Sequence, residues 1–132
     1  MNEHFGGLAV GDTLDELALT ISAEANERYW TAAGIEDPRR RAGALYPLIA
    51  ANLTVLAFTQ HCQAAMIQTR QHLQCHRRVD APARLLTAAR VLDRYERRSL
   101  PYIVISGEVS VEGQPLWSAT SHFTPVSNVT AR

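Results

Sequence analysis

The spacing of hydrophobic and polar positions changes twice along the chain, and each change marks a different kind of element. From Leu14 to Ile21 apolar residues alternate with polar ones well enough to predict a first strand. Ser22 follows as an N-cap, and Glu24 stands in the first helical turn, where a negative charge suits the helix dipole. That helix is expected to end near Ala33, because Gly34 supplies the left-handed residue that stops it. Residues 35–43 read as a polar loop carrying Asp37-Pro38 and the run Arg39, Arg40, Arg41. From Tyr46 to about Cys62 nearly every position is apolar, including Leu48, Ile49, Leu53, Val55, Leu56 and Phe58. A helix apolar on one stripe lies on a surface, whereas one apolar almost all round is expected to be enclosed. Pro47 fits its first turn, where a missing N–H costs nothing.

Beyond Cys62 the period becomes that of strands. Met66 to Arg78, Leu85 to Glu96, Tyr102 to Val111 and Leu116 to Thr124 each alternate or are rich in β-forming residues. Ile103, Ile105, Val109 and Val111 share one face, with Tyr102, Val104, Ser106, Glu108 and Ser110 opposite. Glu112-Gly113-Gln114-Pro115 is the expected hairpin turn. The two middle strands approach a dozen residues, against the usual ~5–6. The order strand, short helix, apolar helix, four strands predicts an α+β class, with a long antiparallel sheet wrapped around a central buried helix. A cone-shaped α+β roll is the rival, but it opens with helices, and the early strand argues against it.

Composition narrows the function more than the fold. At 132 residues, 46% hydrophobic and 20% charged, the chain suits one domain over residues 1–132, with a core over about 8–125 and short flexible termini. Thirteen basic residues oppose thirteen acidic ones, so no net field draws in nucleic acid or an anionic membrane. Every basic residue is Arg, which removes Schiff-base lysine chemistry. Two cysteines, Cys62 and Cys75, form no disulfide scaffold and no Cys-x-x-Cys pair. The apolar stretch from Ala44 to Phe58 is too short to span a bilayer, and Met1-Asn2-Glu3-His4 does not read as a signal peptide. A cytoplasmic protein is the expectation.

Gly11-Asp12 ahead of the first strand, the helix from Ala23 to Ala33 and the Gly34-Ile35-Glu36-Asp37-Pro38 segment come in a familiar order. With the later strands and the closing Ala119-Thr120-Ser121-His122-Phe123, this order resembles the MaoC-like hot-dog proteins over about Leu8 to Pro125. The resemblance implies a hot-dog fold, pairing of two protomers, and hydration or dehydration of acyl thioesters. In that family the loop reads D-x-N-P-x-H-x-D; the His is the general base and the Asp orients it or the attacking water. Carried over residue by residue, Asp37-Pro38 matches the N-P pair approximately, Arg40 stands at the His and Ala42 at the Asp. A guanidinium stays protonated near neutral pH and Ala has no acid–base capacity, so the usual hydration step lacks both groups. Family members with this loss serve as the non-catalytic half of a heterodimer, beside a catalytic hot-dog paralogue.

Asp37, Tyr46 and Asn52 are the remaining catalytic candidates, and Arg40, Tyr46, Leu48, Ile49 and Asn52 the candidates for substrate binding. The N–H groups of Leu48 and Ile49, at the start of the apolar helix, suit a thioester oxygen as well as they suit ordinary backbone capping. Tyr46 reads somewhat better as packing than as a hydrogen-bond donor. Asn52 interrupts an apolar helix, and a buried amide more often serves structure than a pocket. No metal is expected: on a strand His72 and His76 lie about 13 Å apart at ~3.3 Å per residue, and Cys75 points to the other face. His61 and His122 have no assignable partner. Arg39 to Arg41, Arg77-Arg78 and Arg97-Arg98 suit the phosphates of coenzyme A or of a carrier arm, although such runs are usually solvated surface. No cofactor is expected. Three functions remain open: a hydratase/dehydratase-family protein or its catalytically silent partner, a thioesterase or other enzyme on the same body, and a non-catalytic module for an elongated apolar ligand.

Overall fold

The computed structural model describes residues 5–34, 36–62 and 64–126. Of the expected short flexible termini, residues 1–4 and 127–132 lie outside the described residues, as does Ile35 at the head of the polar loop, whereas Phe5 is buried in the core. The elements run β1 (Leu17–Ile21), α1 (Ala23–Ala33), α2 (Pro38–Arg41), α3 (Ile49–His61), β2 (Met66–Cys75), β3 (Ala83–Arg97), β4 (Leu100–Val111) and β5 (Gln114–Pro125). All five strands join one antiparallel sheet in the order β1-β3-β4-β5-β2, and α3 packs across it against β3, β4 and β5. This is the α+β hot-dog architecture that the element order predicts.

The long strands are joined by turns of two residues. Between β4 and β5 only Glu112 and Gly113 intervene, with φ of 52° and 77°, so Gln114 and Pro115 already belong to β5 rather than to the expected four-residue turn. Between β3 and β4 the linking residues are Arg98 and Ser99, with φ of 52° and 65°. Left-handed residues at both central positions match the right-handed twist of the strands they connect.

The inward face of β4 presents Ile103, Ile105, Val109 and Val111, all buried, and the side chain missing from the middle of this row is that of Gly107. A Cβ at Gly107 would stand 2.3 Å from Thr54 Oγ1, so the glycine is what lets α3 lie this close to the strand. The core divides on either side of the crossing. Ile49 and Leu53 of α3 pack with Leu85, Val109 and Trp117; Ala57, Phe58 and Cys62 pack with Phe5, Val91, Ile103 and Phe123. Thr54 and Thr87 are fully buried, and their hydroxyls have no hydrogen-bond partner among the described residues.

Several sequence expectations need correction. The regular part of the first strand starts at Leu17, although Leu14 already donates to the Ala89 carbonyl at 2.9 Å. The loop of residues 35–43 contains α2, capped by the Asp37 side chain, which accepts from Arg39 N. The apolar helix begins at Ile49 and not at Tyr46, which leaves Pro47 ahead of it. Leu45 N donates to the Val79 carbonyl at 2.8 Å and Tyr46 N to Asn26 Oδ1 at 2.8 Å, so the N–H groups before Pro47 are tied to other segments rather than wound into α3. Strand β2 stops at Cys75, three residues short of Arg78. Finally, α3 is not enclosed on all sides. Leu56 is 41% exposed and Asn52 is exposed too, because one sheet covers only one side of a helix.

Leu53 is 1% exposed, so Leu53→Asp buries an unpaired carboxylate and should abolish cooperative folding, read by circular dichroism and urea titration. Gly107→Ala should destabilise the protein by about 1–3 kcal/mol in the same titration. Pairing it with Thr54→Ala should recover part of that loss, giving a coupling term in a double-mutant cycle that two independent sites would lack.

Candidate functional site

The corner where the resemblance places the acyl chemistry is built by α1. Asn26 and Trp30 sit one turn apart, both buried, on a helix whose other positions are largely exposed. Asn26 Nδ2 and Trp30 Nε1 each donate to the Ala44 carbonyl at 2.9 Å, and Asn26 Oδ1 accepts from Tyr46 N. Three hydrogen bonds thus clamp residues 44–46 onto α1 and set where the chain enters α3. The Tyr46 ring meets Trp30 edge-on at 4.9 Å between centroids and lies roughly parallel to Tyr29 at 6.2 Å. Tyr46 is half-buried.

Loop residues 37–42 are occupied by structural ties. Arg40 pairs with Glu27 and donates from Nη2 to Thr31 Oγ1 at 2.9 Å, which binds α2 back to α1. Asp37 caps α2 and forms a two-point ion pair with Arg39, at 3.0 Å from Nε and 2.7 Å from Nη2. The Arg39 guanidinium, helped by the Arg39 N–H, holds the Asp37 carboxyl at about 2, well below the usual carboxylate value. A carboxylate so stabilised is a weak base. Ala42 offers only its backbone: the carbonyl accepts from Arg78 Nη2 at 3.4 Å.

At the start of α3, Leu48 occupies the N-cap position without a side-chain cap and is 55% exposed. The Ile49 N–H donates to the Tyr46 carbonyl at 3.2 Å, so it does not stand free for a ligand oxygen, and the Ile49 side chain is core. Asn52 is exposed rather than buried in the middle of the helix. The amide that does sit under α3 is Gln71 of β2, whose Nε2 donates to the Ala51 carbonyl at 2.9 Å and to Ser121 Oγ at 3.1 Å. No hydrogen bond among the described residues joins Asp37 or Arg40 to Tyr46 or Asn52. The structure brings Tyr46, Leu48, Ile49 and Asn52 to one helix end and leaves Asp37 and Arg40 engaged with their own neighbours.

Three features escaped the sequence reading. The Asn26–Trp30 clamp shows there only as two residues four apart, and Gln71 as one amide among many on a polar strand. His122 gains a partner across the sheet, with its Nδ1 3.0 Å from the Tyr95 hydroxyl. Of the proposed non-metal histidines, His76 Nε2 stands 2.9 Å from Ser118 Oγ, and Cys75 Sγ contacts the Arg77 carbonyl at 3.2 Å. Among the described residues no cluster of three or more His, Cys, Asp or Glu is placed to hold a metal ion, and no helix is long and apolar enough to cross a membrane.

No protein-family model matches the sequence, and no curated protein matches it. Solved structures do match the fold. The R-hydratase PhaJ1 of Pseudomonas aeruginosa in unliganded form superposes with a TM-score of 0.77 at 15% identity, covering 92% of this chain and 84% of that one. The HadBC complex of Mycobacterium tuberculosis, a (3R)-hydroxyacyl-ACP dehydratase, gives 0.72 at 16% identity over 87% and 96%. The MaoC-like dehydratase of Rhodospirillum rubrum gives 0.70 at 17% over 89% and 92%. At such identities the likeness speaks for the backbone and not for the chemistry. The chain therefore has the hot-dog fold, in the form shared by R-hydratases and MaoC-like dehydratases.

Proposed function

We propose that this chain is a protein of the MaoC-like hydratase/dehydratase type that binds an acyl thioester, carried on coenzyme A or a carrier protein, and serves as the catalytically silent half of a two-chain assembly. The observation that carries the reading is the state of loop residues 37–42. Arg40 is committed to Glu27 and Thr31, Ala42 has no functional group, and Asp37 is locked to Arg39. In this reading the Asp37 and Arg40 side chains hold α2 in place and move no proton.

The uncovered side of α3 supports the second chain. Leu48, Leu56 and, on the edge strand β2, Ile67 are 55%, 41% and 49% exposed. β2 pairs on one side only, with β5. Exposed apolar residues beside an open strand edge are what a second hot-dog protomer would cover. HadBC, similar in fold, is a complex. The partner is either a second copy or a paralogue that supplies the acid–base pair.

Purified alone and given crotonyl-CoA, the chain should show hydration at least roughly 10²–10⁴-fold below that of an enzyme with both groups in place, followed by loss of the enoyl absorbance. Robust turnover abolished by Asp37→Asn would overturn the silent-loop reading. Hydrolysis of the thioester lost in Asn52→Ala would assign a thioesterase instead, because Asn52 is the exposed amide near the start of α3.

The assembly gives a separate expectation. Sedimentation at micromolar concentration should show two chains per particle, and Leu56→Asp should shift the particle toward one chain while leaving the thermal transition of the protomer cooperative. A well-folded monomer before any substitution would exclude a homodimer, and would leave co-purification with a hot-dog paralogue as the deciding measurement.

A further inference from the structure

The face of the sheet turned away from α3 carries a second cluster of functional groups, created by an irregularity in β3. One extra residue is inserted between Val91 and Asp93. Up to that bulge the odd-numbered residues of β3 face the core, with Leu85, Thr87, Ala89 and Val91 all buried. Beyond it the alternation inverts. Arg94 turns inward, lying over the Phe5 ring and donating to the Leu8 carbonyl at 2.9 Å, while Tyr95 turns outward. There Tyr95 stacks flat on its cross-strand partner Tyr102, with centroids 4.8 Å apart and planes 1° from parallel. The Tyr95 hydroxyl reaches His122 Nδ1, and His122 pairs across β5 and β2 with Arg70.

Thr69, Arg70, Tyr95, Arg97, Tyr102 and His122 line one open depression of about 340 Å³. The guanidiniums of Arg70 and Arg97 have no carboxylate partner among the described residues, whereas Arg28, Arg39, Arg40 and Arg78 are each paired. We propose that this depression is an oxyanion site that takes a phosphate group, gripped by Arg70 and Arg97 with the His122 ring as a further donor. Two guanidiniums suit a tetrahedral dianion, to which each can offer two parallel N–H groups. Burial first, then Arg70, pushes the His122 pKa down, against an opposing pull from Asp93. The imidazole is therefore neutral near pH 7, and in the tautomer whose Nδ1 accepts from the Tyr95 hydroxyl the ring proton is on Nε2, available to an oxygen. The site lies across the sheet from α3, so it stands or falls independently of the acyl-thioester reading.

Binding has a spectroscopic signature. A phosphate dianion beside His122 favours the imidazolium, so the ring titration should move to higher pH, with Arg70, Arg97, Asp93, Tyr95 and Tyr102 as the other charged or titratable groups facing it. The full chain is followed by NMR of its histidine rings while inorganic phosphate, phenyl phosphate or chloride is added at constant ionic strength. The expected result is a saturable change at His122 with either phosphate and none with chloride. In Arg70→Gln/Arg97→Gln the affinity should drop by roughly tenfold or more. Both arginines are exposed, and an unchanged thermal midpoint would confirm that the variant is folded. No binding of either soluble phosphate or of phosphatidate vesicles, an equal response to chloride, or undiminished binding in the double variant would overturn the proposal. Sedimentation with phosphatidate vesicles separates the sources. Vesicle binding lost in the double variant, without a response to the soluble phosphates, identifies a lipid headgroup; the reverse identifies a small phosphorylated molecule.

Discussion

The arrangement of this protein depends on one close approach, that of Thr54 to Gly107. Were any side chain present at residue 107, α3 would be lifted off β4, since even a Cβ would sit 2.3 Å from Thr54 Oγ1. Lifting the helix at its midpoint would part Leu53 from Val109 on one side and Phe58 from Phe123 on the other. The two apolar clusters are thus consequences of a single depth of contact, and native-like packing density leaves little room to adjust it. The buried hydroxyls of Thr54 and Thr87 show that fit was kept here at some cost in satisfied hydrogen bonds.

The same depth positions the start of α3. Because the helix is pinned at Thr54, the clamp from Asn26 and Trp30 onto residues 44–46 has only to aim the chain into it. Tyr46 is drawn into an aromatic stack, Ile49 into the core, and Leu48 is left outside. The clamp is polar and buried, so each of its members would be expensive to remove singly. It explains why the apolar pattern beginning at Tyr46 does not become helix until Ile49.

Most of the fold was legible in the sequence because it rests on local rules. Period-two alternation marked the four long strands to within a few residues, and Ser22 and Gly34 bounded α1 as capping chemistry requires. What was not legible depends on contacts between distant residues. The uniformly apolar run of α3 predicted enclosure, yet burial is decided by how many layers surround a helix, and here a single sheet leaves Leu56 and Asn52 outside. Nothing local marks the β3 bulge either, although it inverts the facing of Tyr95 and brings that residue to His122 across two intervening strand pairings. Of the candidate site, Arg40 and Ala42 could be read as unfit for acid–base work from residue type alone. That Arg40 is in use elsewhere required Glu27 and Thr31 to be seen beside it.

That use of Arg40 bears on how the protein divides its effort between stability and activity. A catalytic base must be left partly unsatisfied to do its work, and a scaffold that keeps one gives up stability at that spot. Here the position that resembles the base carries a residue whose hydrogen bonds are spent on tying α2 to α1. A His placed at residue 40 would therefore remove that brace between α2 and α1 whatever chemistry it brought. Residue 40 thus belongs to the joint between two helices, and a change there is felt first as a loosening of that joint.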